Sequence, residues 1–215
     1  MVLFMLKIKI GQLLLLLFLG SIILLNNAYA ENYNLYKKFN SNSQYDLFFH
    51  KYSKQNFGIR FSWLQFKAQA IAESKLDRTA ESYVGAQGVM QIMPGTFDEI
   101  KRKNNVVKGS VMNPKTNIRA GIWYDREIWR NWSRKETLQD RINFMMASYN
   151  AGRGHIINAQ KYCIAHPDKY GDPNTWECIN NTLHMVTGKH SIETKTYVKR
   201  IEGIHSILIG GDHGY

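Results

Sequence analysis

Apolar residues recur with helical spacing over most of this 215-residue chain, and the alternation expected of strands is almost absent. The pattern predicts a first strong helix from Phe61 to Ser74, whose wide apolar surface is typical of a buried central helix. Asn113 and Pro114 open a second helix that runs from Lys115 to Arg130, because proline is tolerated near a helix start.

Two further helices follow. Ser133 to Glu136 reads as a capping box, and the helix after it ends near Gly152. Its apolar stripe holds Leu138, Ile142, Met145, Met146 and Tyr149. The last helix, from Glu193 to Leu208, is expected to bury Tyr197, Val198, Ile201, Ile204 and Leu208.

The remaining segments carry weaker signals. Residues 31–60 are rich in Asn, Ser, Tyr and Lys, and we interpret them as an N-terminal arm in which only Tyr45 to Tyr52 suggests a short helix. Residues 153–191 contain turn signals at His166-Pro167 and Gly171 to Pro173, which predict a looser segment. The expected fold class is all-α, with residues 61–215 as a single domain.

The first thirty residues are typical of an export signal. Lys7 and Lys9 precede an apolar stretch from Leu13 to Leu25, and Ala28-Tyr-Ala30 fits the rule for a cleavage site. We therefore expect an exported protein that begins at Glu31 and works in a periplasm or cell-wall space. An uncleaved membrane anchor is the alternative, although the apolar stretch is shorter than the ~20 residues that span a bilayer.

The chain is basic, with a formal net charge of +11 at pH 7. This excess survives removal of the signal, where Lys7 and Lys9 are the charged residues, and favours anionic partners such as an acidic polymer, a phospholipid surface or nucleic acid. Nucleic acid is not expected, because no recognised binding motif accompanies the charge and the protein is predicted to be exported.

Cysteine and histidine usage indicates a disulfide rather than a metal site. Cys163 and Cys178 form a lone pair, which is more often bridged than free in an oxidising compartment. The seven histidines form no HExxH motif and no paired Cys-x-x-Cys motif is present, so we expect no metal and no cofactor.

Four short motifs carry the candidate chemistry. They are Glu73-Ser74, the glycine-rich stretch from Gly85 to Pro94, Ser148-Tyr-Asn-Ala-Gly152, and Glu193-Thr-Lys-Thr-Tyr-Val198. Glu73 ends a mostly apolar helix, where burial and the negative end of the helix dipole both raise the pKa of a carboxyl. A carboxyl that stays protonated near neutral pH is suited to general acid catalysis.

These motifs, in this order, closely resemble those of the family 1 lytic transglycosylases. The resemblance spans roughly Phe61 to Leu208 and implies a lysozyme-like, all-helical fold. It further implies cleavage of the β-1,4 bond between N-acetylmuramic acid and N-acetylglucosamine in peptidoglycan. Glu73 would be the sole acid and base, and the product would carry a 1,6-anhydromuramyl end rather than a hydrolysed one.

The resemblance also assigns candidate binding residues. Ser82 and Gln91 would line the sugar groove, Met93 would form an apolar wall, Tyr149 would lie near the acid, and Glu193 would orient substrate. Each has a plainer interpretation: Ser82 and Gln91 as turn caps, Met93 as core filler, Tyr149 as a core aromatic and Glu193 as a helix cap. Tyr83 and the long stretch from Gly152 to Glu193 depart from the family pattern, and the stretch suggests an insertion braced by a disulfide.

Two other functions stay open from sequence. If Asp77 or Glu81 lay opposite Glu73, the chain would be a water-using enzyme like the goose-type lysozymes, but we expect both carboxylates to face solvent or cap a turn. The other alternative is a non-catalytic wall-binding module of a secretion or conjugation apparatus. The basic charge would hold either kind of protein near an anionic wall or membrane.

Overall fold

The computed structural model describes residues 41–132 and 136–211, together with positions 34 and 39, and this part of the chain is built from helices. No strand occurs within it, and its β-structure is limited to isolated bridges at Glu81, Gln87 and Ile92. The predicted all-α class is confirmed. The helices are α1 (Asp46–Phe57), α2 (Leu64–Ser74), α3 (Pro94–Lys103), α4 (Pro114–Trp129), α5 (Leu138–Ala151), α6 (Arg153–Ala165), α7 (Pro167–Tyr170), α8 (Trp176–Thr187) and α9 (Ser191–Gly211).

Helix α2 is the buried centre of the fold. Every residue from Leu64 to Ile71 is buried, and α1 and α9 pack against the helix. Lys67 lies inside because its ammonium group pairs with Asp46 at 2.9 Å and donates to the carbonyl of Asn42 at 3.0 Å. The helix begins at Leu64 rather than at the predicted Phe61, and it ends at Ser74 as predicted.

The N-terminal segment contributes more to the core than its polar composition suggests. Helix α1 extends to Phe57, beyond the predicted Tyr52, and packs against α4. Phe49 and Tyr52 are fully buried, so α1 is part of the core rather than a loose covering. Residues 1–33, with the predicted export signal, lie outside the described residues. No helix in the described ranges is both long and apolar enough to span a membrane.

Helices α5 and α9 close the core around α2. The N-cap of α5 is Thr137, whose hydroxyl accepts from the backbone N–H of Asp140 at 3.1 Å, so the predicted capping box does not begin this helix. Ser133 lies outside the described residues. Leu138 is 64% exposed, because it sits in the first turn, and its predicted place on the buried stripe is wrong. Helix α9 is longer than predicted and buries all five residues expected of it.

Two regions that were not predicted to be helical are helices. Helix α3 starts with Pro94 at its first position, and half of its residues are charged. Phe97 and Ile100 are its buried residues. The segment 153–191 contains α6, α7 and α8, and the expectation of a looser segment is wrong. The turn signals at Pro167 and Gly171 instead mark the two ends of the short helix α7.

A disulfide joins α6 to α8. Cys163 and Cys178 are bonded, as predicted, with their Cα atoms 6.1 Å apart, and both side chains are buried. The two helices pack closely along their length, and the hydroxyl of Thr182 on α8 donates to the carbonyl of Ala159 on α6 at 3.1 Å. The bridge therefore braces a pair of helices that already share an interface.

Replacing both cysteines with alanine is expected to lower the free energy of unfolding by about 3 kcal/mol, because the bridge closes a 15-residue loop in the unfolded chain. Urea unfolding of the oxidised wild type and of the double variant measures this difference. Reduced wild type serves as the control and should match the variant. Equal stability of all three proteins would show that the bridge does not stabilise the fold.

Candidate functional site

Glu73 lies in the last turn of α2, where three parts of the chain meet. The hydroxyl of Tyr197, from α9, donates a hydrogen bond to Glu73 Oε1 at 2.5 Å. The hydroxyl of Ser74 donates to the carbonyl of Val89 at 2.8 Å and so ties the end of α2 to the glycine-rich loop. Glu73 itself keeps part of its surface accessible.

The environment of Glu73 keeps its carboxyl protonated at higher pH than usual. Burial raises the pKa of Glu73 from 4.5 to about 7, which is the largest effect. The Tyr197 hydrogen bond and the charge of Arg200 lower this pKa, and the charge of Glu193 raises it. At neutral pH a large fraction of the carboxyl therefore carries its proton.

The glycine-rich loop is held by the side chain of Asn117, a fully buried residue of α4. Its side chain accepts from the backbone N–H of Met90 at 2.7 Å and donates to the carbonyls of Gln87 and Val111, both at 2.9 Å. Gly88 has a φ of 75°, and a Cβ there would lie 2.5 Å from Nδ2 of Asn117. Glycine is required at this position both by conformation and by space.

Ser82 and Gln91 hold the same loop in shape. The hydroxyl of Ser82 accepts from the backbone N–H of Ala86 at 2.9 Å. The side-chain amide of Gln91 donates to the carbonyls of Gly88 and Ala80 at 2.9 and 3.1 Å, and the residue adopts a left-handed φ of 47°. The structure thus gives both residues the turn-capping contacts that the sequence left open.

The remaining predicted residues surround the loop and the acid. Met93 is 41% exposed where the loop meets α3, which leaves an apolar surface available. The hydroxyl of Tyr149, on α5, donates to the carbonyl of Met90 at 2.7 Å. Burial raises the pKa of Tyr149 well above its usual value, and the charge of Glu73 raises it further. Glu193 is exposed in the first turn of α9.

Asp77 and Glu81 are not placed as a second catalytic carboxylate. Asp77 is exposed and accepts from the backbone N–H and the hydroxyl of Thr79 at 2.8 and 2.7 Å, which lowers its pKa. Glu81 is exposed and accepts from the side chain of Gln87 at 3.4 Å. The expectation that both face solvent or cap a turn is confirmed.

Sequence reasoning missed several residues of the site. Tyr197 was predicted as a core aromatic, although its position four residues after Glu193 puts it within the same motif. Asp125, on the apolar stripe of α4, is wholly buried and accepts a long hydrogen bond from Gln69 at 3.4 Å. The sequence did contain a signal for Asp125, because a charged residue at an apolar position of a helix is expected to be buried. Among the described residues, no three His, Cys, Asp or Glu side chains converge as a metal site.

The arrangement suits proton transfer by Glu73. Glu73 is a partly exposed carboxylic acid with a pKa near neutrality, and the end of its helix is tied to the glycine-rich loop. In this loop Met93 is exposed and the side-chain amide of Gln91 is hydrogen-bonded to backbone carbonyls. Both Glu73 and this loop lie within a segment of the sequence that matches a known family. The sequence matches the family described as the transglycosylase SLT domain over residues 53–170.

The chain belongs to the transglycosylase SLT domain family. This confirms the resemblance inferred from the four motifs. The match begins within α1, earlier than the predicted start of the domain at residue 61, in agreement with the burial of that helix in the core.

Curated relatives of this SLT-domain protein are longer proteins. The membrane-bound lytic murein transglycosylase F of Vibrio vulnificus is 26% identical over 167 residues, which cover 73% of this chain and 30% of that protein. The protein of the same name from Desulfosudis oleivorans is 28% identical over 137 residues, covering 64% of this chain and 28% of the relative. The chain thus spans less than a third of the length of these relatives.

Solved structures of lytic transglycosylases share its fold. The 70 kDa soluble lytic transglycosylase of Escherichia coli aligns with a TM-score of 0.58 and 22% identity, over 77% of this chain and 24% of that one. An inactive mutant of the lytic transglycosylase Slt from Pseudomonas aeruginosa, in which glutamine replaces a glutamate, aligns with a TM-score of 0.59 and the same identity and coverage. The lysozyme-like, all-helical fold is confirmed.

Replacing Asn117 with alanine is expected to lower the free energy of unfolding by about 2–4 kcal/mol, because three backbone groups of the loop and its neighbour lose a buried partner. Thermal and urea unfolding measure the loss. Asn113→Ala is the matched control, since it removes the exposed N-cap of the same helix and should cost about 1 kcal/mol. Similar losses in the two variants would contradict a special role for Asn117.

Proposed function

We propose that this protein cleaves the β-1,4 bond between N-acetylmuramic acid and N-acetylglucosamine in peptidoglycan and leaves a 1,6-anhydromuramyl end. Glu73 is the sole general acid and base of this reaction. The observation that carries the proposal is one partly accessible carboxyl with a pKa of about 7, held by Tyr197. The names of the curated relatives and the family match support the substrate.

The first step needs a proton donor because a glycosidic oxygen is a poor leaving group until it is protonated. Protonated Glu73 gives its proton to that oxygen as the bond from C1 of the muramyl residue breaks. The leaving sugar departs as an alcohol, and Glu73 is left as a carboxylate. The Tyr197 hydroxyl, already bonded to Oε1, stabilises this charge as it forms.

The second step returns the proton. The O6 hydroxyl of the same muramyl residue attacks C1, and Glu73 takes the proton from O6 as the new C1–O6 bond forms. No water is consumed, and the enzyme ends in its starting state. The substrate's own acetamido group stabilises the positive charge at C1 between the two steps, so a nucleophilic carboxylate is not required.

The positions of the other acids favour this route over hydrolysis. A hydrolytic enzyme places its two carboxyls on opposite sides of the bond, about 5–10 Å apart according to mechanism. Asp77 and Glu81 are engaged in the turns that follow α2, and Asp125 is buried away from solvent. We infer that none of the three serves as a second carboxylate beside Glu73.

We propose further that the protein acts in the cell-wall space. The apolar N-terminal stretch and the cleavage-site pattern before Glu31 support export, and the disulfide between Cys163 and Cys178 is of the kind that persists in oxidising compartments. The basic net charge favours retention at an anionic wall or membrane surface. Association with a secretion or conjugation apparatus remains a prediction from sequence.

Glu73→Gln is expected to reduce cleavage of purified peptidoglycan by at least about a thousandfold, because glutamine keeps the size and the bond to Tyr197 but donates no proton to the leaving oxygen. Glu81→Gln, a change of the same kind at an exposed acid, should leave the rate within about twofold. Mass spectrometry of the digest should show anhydromuramyl ends.

Three outcomes speak against parts of this proposal. A Glu73→Gln variant as fast as wild type means that Glu73 is not the acid. Reducing muramic acid ends in the wild-type digest identify a lysozyme instead. A folded wild type that binds the wall without releasing sugar is a binding module.

The rate of cleavage is expected to fall as pH rises through about 7, by about tenfold per unit at higher pH, because the reaction starts from protonated Glu73.

In Tyr197→Phe the loss of the hydrogen bond that lowers the pKa of Glu73 moves the midpoint upward. The pH dependence of kcat/KM measures both midpoints. Tyr149→Phe is the control, since its hydroxyl bonds the carbonyl of Met90 and its midpoint should stay near that of wild type. A downward shift in Tyr197→Phe would refute this account of Glu73.

A further inference from the structure

Asp125 is a wholly buried acid that the proposed reaction does not use. It lies in α4 with 0% of its surface exposed and faces Gln69 of α2. Gln69 precedes Glu73 by four residues, so the two side chains lie one turn apart on the same side of α2. A contact that fixes Gln69 therefore also fixes the part of the helix from which Glu73 projects.

The two side chains are complementary in one protonation state. Gln69 Nε2 donates to Asp125 Oδ1 at 3.4 Å, while Asp125 Oδ2 and Gln69 Oε1 are both buried and have no hydrogen-bond partner among the described residues. An ionised carboxylate offers acceptors alone and has nothing to give the amide oxygen. A carboxylic acid offers one donor and one acceptor, the same pair that the amide presents in reverse.

The surrounding charges favour that state. Burial raises the pKa of Asp125 well above its usual value and outweighs the hydrogen bond from Gln69, which lowers it, and the charge of Glu73 raises it further. The other titratable groups that sense Asp125 are Tyr149 from α5, Tyr197 from α9 and Tyr124 on α4 itself, and burial raises the pKa of each of them as well.

Resting on the proposed function, we propose that Asp125 is a positioning residue: with Gln69 it fixes the register of α2 against α4 and thereby the placement of Glu73. The reason is the free-energy cost of misaligning two buried polar side chains. The neighbours of Gln69 on α2, such as Ala68, Ala70 and Ile71, are apolar and tolerate a small shift along the helix axis. A polar pair does not, because a shift leaves two buried polar groups without partners. Other polar contacts of α2, made by Lys67 and Ser74, join it to the segment around α1 and to the glycine-rich loop, not to α4.

The carboxyl also has to stay neutral for this role. An ionised Asp125 would place a second negative charge behind Glu73 at the moment when Glu73 itself becomes a carboxylate. Asp125→Asn reproduces the neutral acid, since an amide carries one donor side and one acceptor side in nearly the same shape. Asp125→Leu fills the space but leaves Gln69 with no partner.

Three variants test the proposal: Asp125→Asn, Asp125→Leu and, as the control, Thr182→Val, which removes a buried hydroxyl between α6 and α8, away from Glu73. We expect Asp125→Leu to lower kcat by between about tenfold and a hundredfold with KM within about twofold, because a small misplacement of a catalytic group slows the chemical step. Asp125→Asn should retain kcat within about threefold. Thr182→Val should keep wild-type kcat even if it unfolds more easily.

Carbon NMR of the side-chain carboxyls gives a readout that does not depend on activity. In the wild type, the Asp125 signal should titrate above the ordinary aspartate value, and in Glu73→Gln it should move downward because a neighbouring charge is gone. An Asp125 signal that titrates near the ordinary aspartate value overturns the proposal. So does wild-type kcat in Asp125→Leu, or an equal loss in Asp125→Asn and Asp125→Leu.

The two proposals fail in different ways. If the wild type releases no anhydromuramyl sugar, the proposed function is wrong, and the carboxyl titration still reports on the pair of Asp125 and Gln69. If Asp125→Leu does not fold, the NMR titration and the kcat of Asp125→Asn decide the role of Asp125. A loss in Asp125→Asn that matches the loss in Glu73→Gln would show that Asp125 acts as an acid in its own right and overturn the positioning role.

Discussion

The desolvation of one carboxyl, that of Glu73, is the constraint around which this domain is arranged. Tyr197 from α9 bonds this carboxyl directly, and Ser74, the next residue, ties the end of α2 to the glycine-rich loop. Burial outweighs the opposing effects of the Tyr197 hydrogen bond and the Arg200 charge, so the net pKa is raised to about 7. A more polar surrounding would give a carboxylate that cannot donate, and complete burial would give an acid that cannot reach substrate.

The loop that covers Glu73 is held by polar contacts rather than by apolar packing alone. Asn117 reaches from α4 to backbone groups on both sides of Gly88, and Tyr149 and Gln91 bind carbonyls of the same loop. These bonds satisfy backbone groups that a loop buried against a core would otherwise leave unpaired. The conformation of the loop therefore depends on a small set of buried and half-buried polar side chains.

Local patterns predicted what depends on local structure. The spacing of apolar residues correctly predicted where α2 ends and which face of α9 is buried. The order of the four motifs indicated Glu73 as the candidate acid. The bond from Tyr197 to Glu73 joins residues 124 apart, and periodicity carries no information on such a pairing. Helix α6 was missed because exposed apolar positions such as Ile164 blur its amphipathic pattern. Helix α8 is amphipathic and was missed because the turn signals before it favoured a looser structure for the whole segment. The turn-capping geometry of Gln91 depends on a left-handed backbone that a glutamine rarely adopts.

A raised pKa in the folded state has a thermodynamic consequence. The pKa of Glu73 changes from 4.5 to about 7 on folding, which corresponds to about 3 kcal/mol at 1.36 kcal/mol per unit. Because the folded value is the higher one, this contribution is fully present below pH 4.5 and is lost as pH rises to about 7. The deeply buried Asp125 acts in the same direction. The domain therefore places at its centre two acids that weaken it at neutral pH, while the disulfide between α6 and α8 adds stability of comparable size away from the site. Such a division is expected where a buried acid is retained for proton transfer, because a core selected for stability alone would hold apolar residues at both positions.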